Sequence, residues 1–505
     1  MTKLCRQNPH LYEINSRFWL RRLREKYGRE LTLSSIPEQE WKKLRQLGFD
    51  YIWLMGVWTP SGRGIDIAKS LPNLHTEYSK ALPNWKISDI IGSPYSILSY
   101  TLNPELGKPS ELKTLQEILH ESDLSLILDF VPNHVAVDHQ WTISNPEYFI
   151  QATAEEAHEN PDLFFKVKNN GGEYLIAHGK DPNFPPWLDT AQLNIFNANT
   201  QNALIRVLNT VTEQCDGIRC DMAMLSLNEI FQRTWGWLTK KIGSEISQDE
   251  FWRVAIENVK VNHPNFIFIA EVYWGLNLKL LKLGFDYVYD KTLYDHLLDG
   301  NVQKIHAYLT TETSYQKRCV RFIENHDEGR AVKTFGREKS KAAAAIIATL
   351  PGLRFFHDGQ LEGHAIKVPV QLAYVKPETD DSDLIEHYHV LLSLASKQIF
   401  HEGEWMLLDV SCVSQEDCSH TNLLAWLWKL EKISKIIVVN YSNFVSQGLI
   451  SLPADLLHKK VSLDELVGKN YRQTVKVTLK EGLNIKLESY RVIILTLQEN
   501  SSINQ

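Results

Sequence analysis

The chain has 505 residues, 43% of them hydrophobic and 23% charged, with a formal net charge of −7 at pH 7. That composition suits a globular chain with room for several domains and excludes collagen-like, coiled-coil and disordered classes. The mild acidic balance leaves no electrostatic footprint for nucleic acid or an anionic membrane, and it fits a neutral partner.

LYEINSRFWL (11–20) reads as a first strand. SSIPEQEWKKLRQLG then reads as a helix, with Pro37 in its first turn, Glu38 and Glu40 at its positive end and Gly48 at its stop. FDYIWLMGVW (49–58) is a buried strand. The unit repeats, as Pro109 opens a helix through ELKTLQEILHE and LSLILDFV (124–131) follows as a near-continuous apolar strand of the parallel-sheet kind. Further strands lie in CDGIRCDM (215–222), NFIFIAEV (265–272), RCVRFIEN (318–325) and LRFFHD (353–358). Helical stretches such as QNALIRVLNTVTEQ and KSKAAAAIIATL fall between them. Counting 11–18, 49–57, 124–131, 216–221, 266–271, 285–289, 319–325 and 353–357 predicts eight strands. Eight βα units imply a closed (β/α)8 barrel with insertions. An open doubly wound sheet is the alternative, and no GxGxxG follows any strand to support it.

Residues 134–195 break the rhythm and read as an insertion after the third strand. From 399 the pattern turns all-β, in LLAWLWKL, KIIVVNY, GLISLP, TVKVTL and RVIILTL, and ENSSINQ is expected to fray. The expected organisation is a barrel over 1–133 and 196–398, an insert over 134–195 and a C-terminal antiparallel β domain over 399–505. Cys5, Cys215, Cys220, Cys319, Cys412 and Cys418 include no CxxC pair and are too sparse for a disulfide scaffold, so Cys412 and Cys418 read as free thiols. The opening MTKLCRQNPHLYEIN lacks a signal-peptide core, and no run of about 18 apolar residues occurs, so a cytoplasmic location is expected.

Four strand ends carry polar residues that an apolar strand would not choose for stability: DFVPNH, GIRCD, IAEV and ENHD. In a parallel barrel all strand C-termini open on one mouth, so the four clusters converge there. Arg219 and Asp221, two apart on a strand, face the same way, and the guanidinium favours the ionised carboxylate. Glu271 follows the apolar FIFIA, where poor solvation raises a carboxyl pKa as a general acid requires. One ionised and one protonated carboxyl is the arrangement of glycosidases.

Those four segments, in this order and spacing, resemble the short motifs of the α-amylase family of retaining glycosidases and transglycosidases. PGLRFFHDGQ (351–360) is similar to that family's eighth-strand segment and DTAQLN (189–194) to the motif late in its inserted domain. The resemblance spans about residues 10–365. It implies Asp221 as nucleophile, Glu271 as general acid and then base, and Asp327 as the group gripping sugar hydroxyls. It implies Arg219 as support for Asp221, His134 and His326 as hydroxyl ligands, and Asp129 as a structural carboxylate. Tyr95 takes the place of the family's stacking tyrosine, and Trp187 and Trp58 are further stacking candidates.

Departures from the family pattern bear on specificity. Met224 and Leu225 stand where many starch-cleaving members have Lys and His, which predicts a leaving side poor in hydroxyl contacts. Gln192 stands where calcium-binding members have Asp, so Asn133 is left as the one clear calcium ligand and no metal site is expected. Arg354, His357 and Asp358 are expected to make polar contacts at the mouth. The resemblance therefore implies hydrolysis of α-glucosidic bonds in α-glucans, malto-oligosaccharides or a related α-glucoside, with no cofactor. The alternatives are transfer to a sugar or to phosphate, or a non-catalytic binding subunit, against which the three retained acids speak.

Overall fold

The first strand, β1 (His10–Asn15), stops where a helical period takes over. The Asn15 side chain accepts from the Phe18 backbone N–H at 3.3 Å and caps a helix over Ser16–Tyr27, which buries Trp19, Leu20 and Leu23 and ends at Gly28 with φ +61°. The aromatic run at 11–20 is therefore half strand and half helix, because its apolar residues past Asn15 recur at helical spacing. The second helix runs over Glu38–Gln46 behind Pro37, with Glu38 and Glu40 in its first turn. Another covers Glu111–Glu121, two residues past Pro109.

This computed structural model describes residues 6–239, 249–457, 460–464 and 482–498. Cys5, TVKVTL and ENSSINQ lie outside the described residues. Seven more strands complete a closed parallel barrel: β2 (Tyr51–Met55), β3 (Ser125–Phe130), β4 (Gly217–Cys220), β5 (Ile267–Ala270), β6 (Tyr287–Tyr289), β7 (Cys319–Arg321) and β8 (Leu353–His357). Neighbours in sequence are neighbours in space, and β8 returns to β1 with His10 opposite Arg354. All eight expected strands are present, and the open-sheet alternative is excluded by closure.

Within the insert, Thr190–Gln192 pairs antiparallel with His134–Ala136, so its two ends are zipped together beside β3. Between them lies a small antiparallel sheet of Gln151–Ala152, Gly172–Ala177 and Phe164–Asn169. Past the barrel, five antiparallel strands order as Glu404–Leu408, Leu423–Leu430, Ile433–Asn440, Val492–Gln498 and Lys460–Asp464. Alternation sorts their side chains. Trp426, Trp428, Ile437 and Val439 join the barrel's core, while Ala425, Leu427, Ile436 and Val438 pack a second core with a three-stranded sheet.

Arg354 does not reach the mouth. Its buried guanidinium donates to the carbonyls of Leu350 at 3.0 Å and Phe400 at 2.6 Å, fastening β8 to the segment that leads into the C-terminal sheet. Trp428 adds a bond from Nε1 to the Thr349 carbonyl at 2.7 Å. The five described cysteines are free thiols. Among the described residues, no helix is long and apolar enough to cross a membrane.

Candidate active site

The C-terminal ends of the strands deliver the polar clusters to one mouth. Arg219, near the end of β4, is opposite Asp129 on β3 and Ile269 on β5. Its buried guanidinium is the hub of the site. Nη1 lies 2.7 Å from Asp221 Oδ1 and 3.5 Å from Asp129 Oδ1, and Nη2 lies 2.8 Å from Glu271 Oε2. One cation thus faces three buried carboxyls, an imbalance that protonation relieves. Burial foremost, with the charges of Asp221 and Asp327 adding, pushes Glu271 up to about 7 against the opposing pull of Arg219. Burial likewise pushes Asp129 up to about 7, against Arg219 and His326.

The Glu271 carboxyl is oriented from two more sides. The Met222 backbone N–H donates to Oε2 at 2.6 Å, from a residue held in the left-handed region at φ +40°. Such a conformation costs a residue with a side chain about 1 kcal/mol or more and points to a positional demand. Tyr273 O–H donates to Oε1 at 2.9 Å.

Asp327, His326, Tyr95 and His134 complete the mouth. The Asp327 side chain is 50% exposed to the cleft, and its Oδ2 lies 3.1 Å from His326 Nε2. Burial would raise its pKa, but His326 outweighs that, with Arg219 and Lys367 adding, and holds it well below the usual carboxylate range. The Tyr95 ring stacks on His326 at 5.5 Å, and its hydroxyl lies 2.8 Å from His326 Nε2. His134 is buried 5.2 Å from the Trp187 ring, and burial lowers its pKa despite Asp221, so it stays a neutral imidazole. Asp221, Glu271, Asp327, Arg219, His134, His326 and Tyr95 all gather at this mouth.

Trp58 does not. It is 2% exposed and donates from Nε1 to the Asp129 carbonyl at 2.8 Å, so it is a core residue under β3 and not a stacking platform. His357 and Asp358 do reach the rim. His357 Nδ1 lies 3.1 Å from Glu324, and Asp358 receives both bonds of Arg22 at 2.8 Å.

Two hollows flank the hub. One of about 490 Å³ lies beside Glu271, walled by Met222, Tyr273, Trp274, Asn277 and, from the insert, Asp181 and Phe184. Trp274 is 41% and Phe184 63% exposed, unusual for such large apolar groups. Met224 and Leu225 are buried in the turn Ala223–Ser226 and do not line it. The other, of about 530 Å³, lies beside Asp327 and His326 and is walled by Lys333, Ile366 and Lys367. Trp274 and Phe184 escape sequence reasoning because nothing in their spacing says which aromatics stay uncovered.

Asn133 and Gln192 close on each other. Gln192 Nε2 donates to Asn133 Oδ1 at 3.0 Å and to its backbone carbonyl at 2.9 Å, and Asn133 Nδ2 donates to Gln192 Oε1 at 3.3 Å. The calcium implied by some of the family needs several hard oxygens, and this pair offers neutral amide oxygens already engaged. The residues here do not fit that ion.

Relatives share this frame. The chain is 23% identical over 285 residues to alpha-amylase 3 of Dictyoglomus thermophilum, covering 52% of each protein. It is 23% identical over 362 residues to the 4-alpha-glucanotransferase of Thermotoga maritima, covering 67% of each. In the first of these matches the chain spans about half the relative's length. The crystal structure of a maltogenic alpha-amylase, AmyB, from Thermotoga neapolitana superposes with a TM-score of 0.66 at 17% identity, covering 98% of this chain and 99% of that one. The alpha-amylase from Geobacillus thermoleovorans, solved with acarbose, superposes with a TM-score of 0.65 at 17% identity, covering 98% and 99%. The family model for the alpha-amylase catalytic domain matches residues 39–389, and a closed barrel whose strand ends bring Asp221, Glu271 and Asp327 around Arg219 is what that match leads one to expect: the chain is an enzyme of the α-amylase family.

Proposed function

We propose that this protein cleaves α-glucosidic bonds in malto-oligosaccharides and short α-glucosides with retention of configuration. The observation that carries the reading is the single guanidinium of Arg219, hydrogen-bonded to Asp221 and ion-paired with Glu271. A shared planar cation holds two carboxyls close, which suits the separation of about 5–5.5 Å of retaining enzymes better than the wider gap of inverting ones. The guanidinium thus pairs with the attacking carboxylate of Asp221, while burial keeps Glu271 protonated up to about neutrality.

The chemistry follows from those two states. An Asp221 carboxylate oxygen attacks the anomeric carbon as Glu271 gives its proton to the departing glycosidic oxygen. The C–O bond breaks, and a glycosyl ester to Asp221 remains. Glu271, now a carboxylate, takes a proton from the incoming water. The water oxygen bonds to the anomeric carbon, and Asp221 leaves as the anion. Asp327, kept ionised, receives sugar hydroxyls and offsets positive charge as it develops on the ring.

A second reading, transfer to a sugar acceptor, rests on the aromatic hollow beside Glu271. A sugar ring seated between Trp274 and Phe184 would compete with water for the same intermediate. Purified protein incubated with sucrose, trehalose, maltose, maltoheptaose and glycogen, with and without phosphate, separates these outcomes. Hydrolysis releases sugar whose first anomer by NMR is α. Longer oligosaccharides indicate transfer, and glucosyl phosphate indicates phosphorolysis. A first product in the β form, or no product from any of the five, would refute the proposal.

A further inference from the structure

A carboxylate inside an apolar barrel strand needs a partner, because burial penalises its charge. Glu13 is such a group. It is the fourth residue of β1 and 0% exposed. Its Oε1 lies 2.5 Å from His326 Nδ1. The other imidazole nitrogen, Nε2, lies 3.1 Å from Asp327 Oδ2. The result is a chain of carboxylate, imidazole and carboxylate that begins in the barrel wall and ends at the cleft. An imidazole with an acceptor at each nitrogen donates twice only as the cation.

We propose that Glu13 is a positioning residue for the α-glucoside chemistry above: it holds His326 as an imidazolium and, through it, fixes the charge and orientation of Asp327 at the cleft.

Other groups face this chain without replacing Glu13. His357 Nε2 is 3.9 Å from Glu13 Oε2, too long for a hydrogen bond, and its Nδ1 is occupied by Glu324 and Arg330. Tyr95 stacks on the His326 ring and its hydroxyl, 2.8 Å from Nε2, shares that nitrogen with Asp327, while Trp53 meets the ring edge-on at 5.6 Å. Arg219 and Lys367 add positive charge near Asp327. They oppose a cationic His326, so the carboxylates must supply its stability. Burial alone would lower the His326 pKa; Asp327 and Glu13 carry it well above the ordinary value. Without Glu13 the imidazole loses its inner acceptor, its proton at Nδ1 has nowhere to donate, and Asp327 loses a fixed counter-ion.

The test is Glu13→Gln in the full chain, which keeps the shape and removes the charge. Histidine ring nitrogens are followed by 15N NMR, with His326 assigned from its loss in His326→Gln. In the unaltered protein His326 should stay doubly protonated across about pH 6–8, where an ordinary histidine titrates. In Glu13→Gln it should become neutral within that window. On the best substrate of the panel, kcat/KM should fall about ten- to a hundred-fold, the worth of a charge-assisted hydrogen bond. In a His326→Gln background the same change should alter kcat/KM by less than about twofold, since Glu13 then has nothing to act through. Equal losses in both backgrounds would show a merely structural role and overturn the proposal. So would an unaltered-protein His326 that titrates like an ordinary histidine, a result that needs no substrate. The NMR arm stands apart from the α-glucoside reading, which falls if the unaltered protein releases nothing from the panel or releases the β anomer first.

Discussion

At the scale of the residue, the site is a problem of one buried cation among acids. Asp221→Asn removes the nucleophile, since a neutral amide cannot form the ester. The expected result is loss of turnover by about three orders of magnitude or more with an unchanged circular dichroism spectrum. Glu271→Gln should be as severe on natural substrates and much milder on an aryl glucoside whose leaving group needs no proton. If both substrates lose equally, Glu271 is not the acid. Because Glu271 must carry a proton to act and burial lifts it to about 7, kcat/KM should fall about tenfold per unit above that pH. The same physics makes Asp129 a cost at high pH. Its folded pKa lies near 7, against about 4 in the unfolded chain, so the favourable state is complete below about 4 and is lost as pH rises toward 7. Asp129→Asn has no such dependence. Its stability relative to the unaltered protein should therefore improve between pH 5 and 8, by up to about 3 kcal/mol, measured by urea unfolding at the two values. An improvement in the opposite direction would mean that Asp129 is ionised in the folded protein.

At the scale of the element, the barrel is legible in the sequence because strands such as SLILDF and FIFIA are near-continuously apolar, as strands covered on both faces are. The site is legible because DFVPNH, GIRCD, IAEV and ENHD break that monotony at their ends. What is not legible is a length or a direction. Asn15 converts an apolar run from strand to helix through a single side-chain cap, and Arg354 looks like a mouth residue until its guanidinium is seen pointing out to Leu350 and Phe400. Glu13 leaves a signal, an acid inside HLYEIN, but not the partner 313 residues away. The insert and the loop after β5 meet across the hollow beside Glu271, where Met224 and Leu225 contribute nothing and Trp274 and Phe184 do. Trp274→Ala should raise KM for maltoheptaose several-fold with little loss of stability, because the ring is already half in water. Asn277, Lys291 and Thr292 line the same hollow, so the leaving side is not short of groups for sugar hydroxyls, and the expectation of poor activity on soluble starch drawn from Met224 and Leu225 loses its ground. The Asn133–Gln192 clasp ties the insert to the end of β3 through amide–amide hydrogen bonds. Chelator should leave the melting temperature unmoved, whereas Gln192→Ala, which strands a buried amide, should cost about 1–3 kcal/mol. A large calcium-reversible fall on chelation would sink the assignment of that clasp.

At the scale of the whole molecule, the barrel and the C-terminal sheet share one core. Trp426 and Trp428 belong to it, Arg354 donates to the Phe400 carbonyl, and Tyr441 donates to the Leu297 carbonyl at 2.9 Å. The sheet is thus a wall of the barrel's outer layer rather than an appendage. Barrel closure itself has a consequence in time. β1 finds its second partner only in β8, and His10 and Arg354 are 344 residues apart. At a synthesis rate of about 5–20 residues per second, on the order of tens of seconds pass between making one and making the other. Throughout that interval the nascent sheet has two open edges, the kind of surface that recruits chaperones or seeds aggregates. The pocket does not grow gradually as translation proceeds: a ribosome paused before β8 carries most of a barrel but no closed mouth.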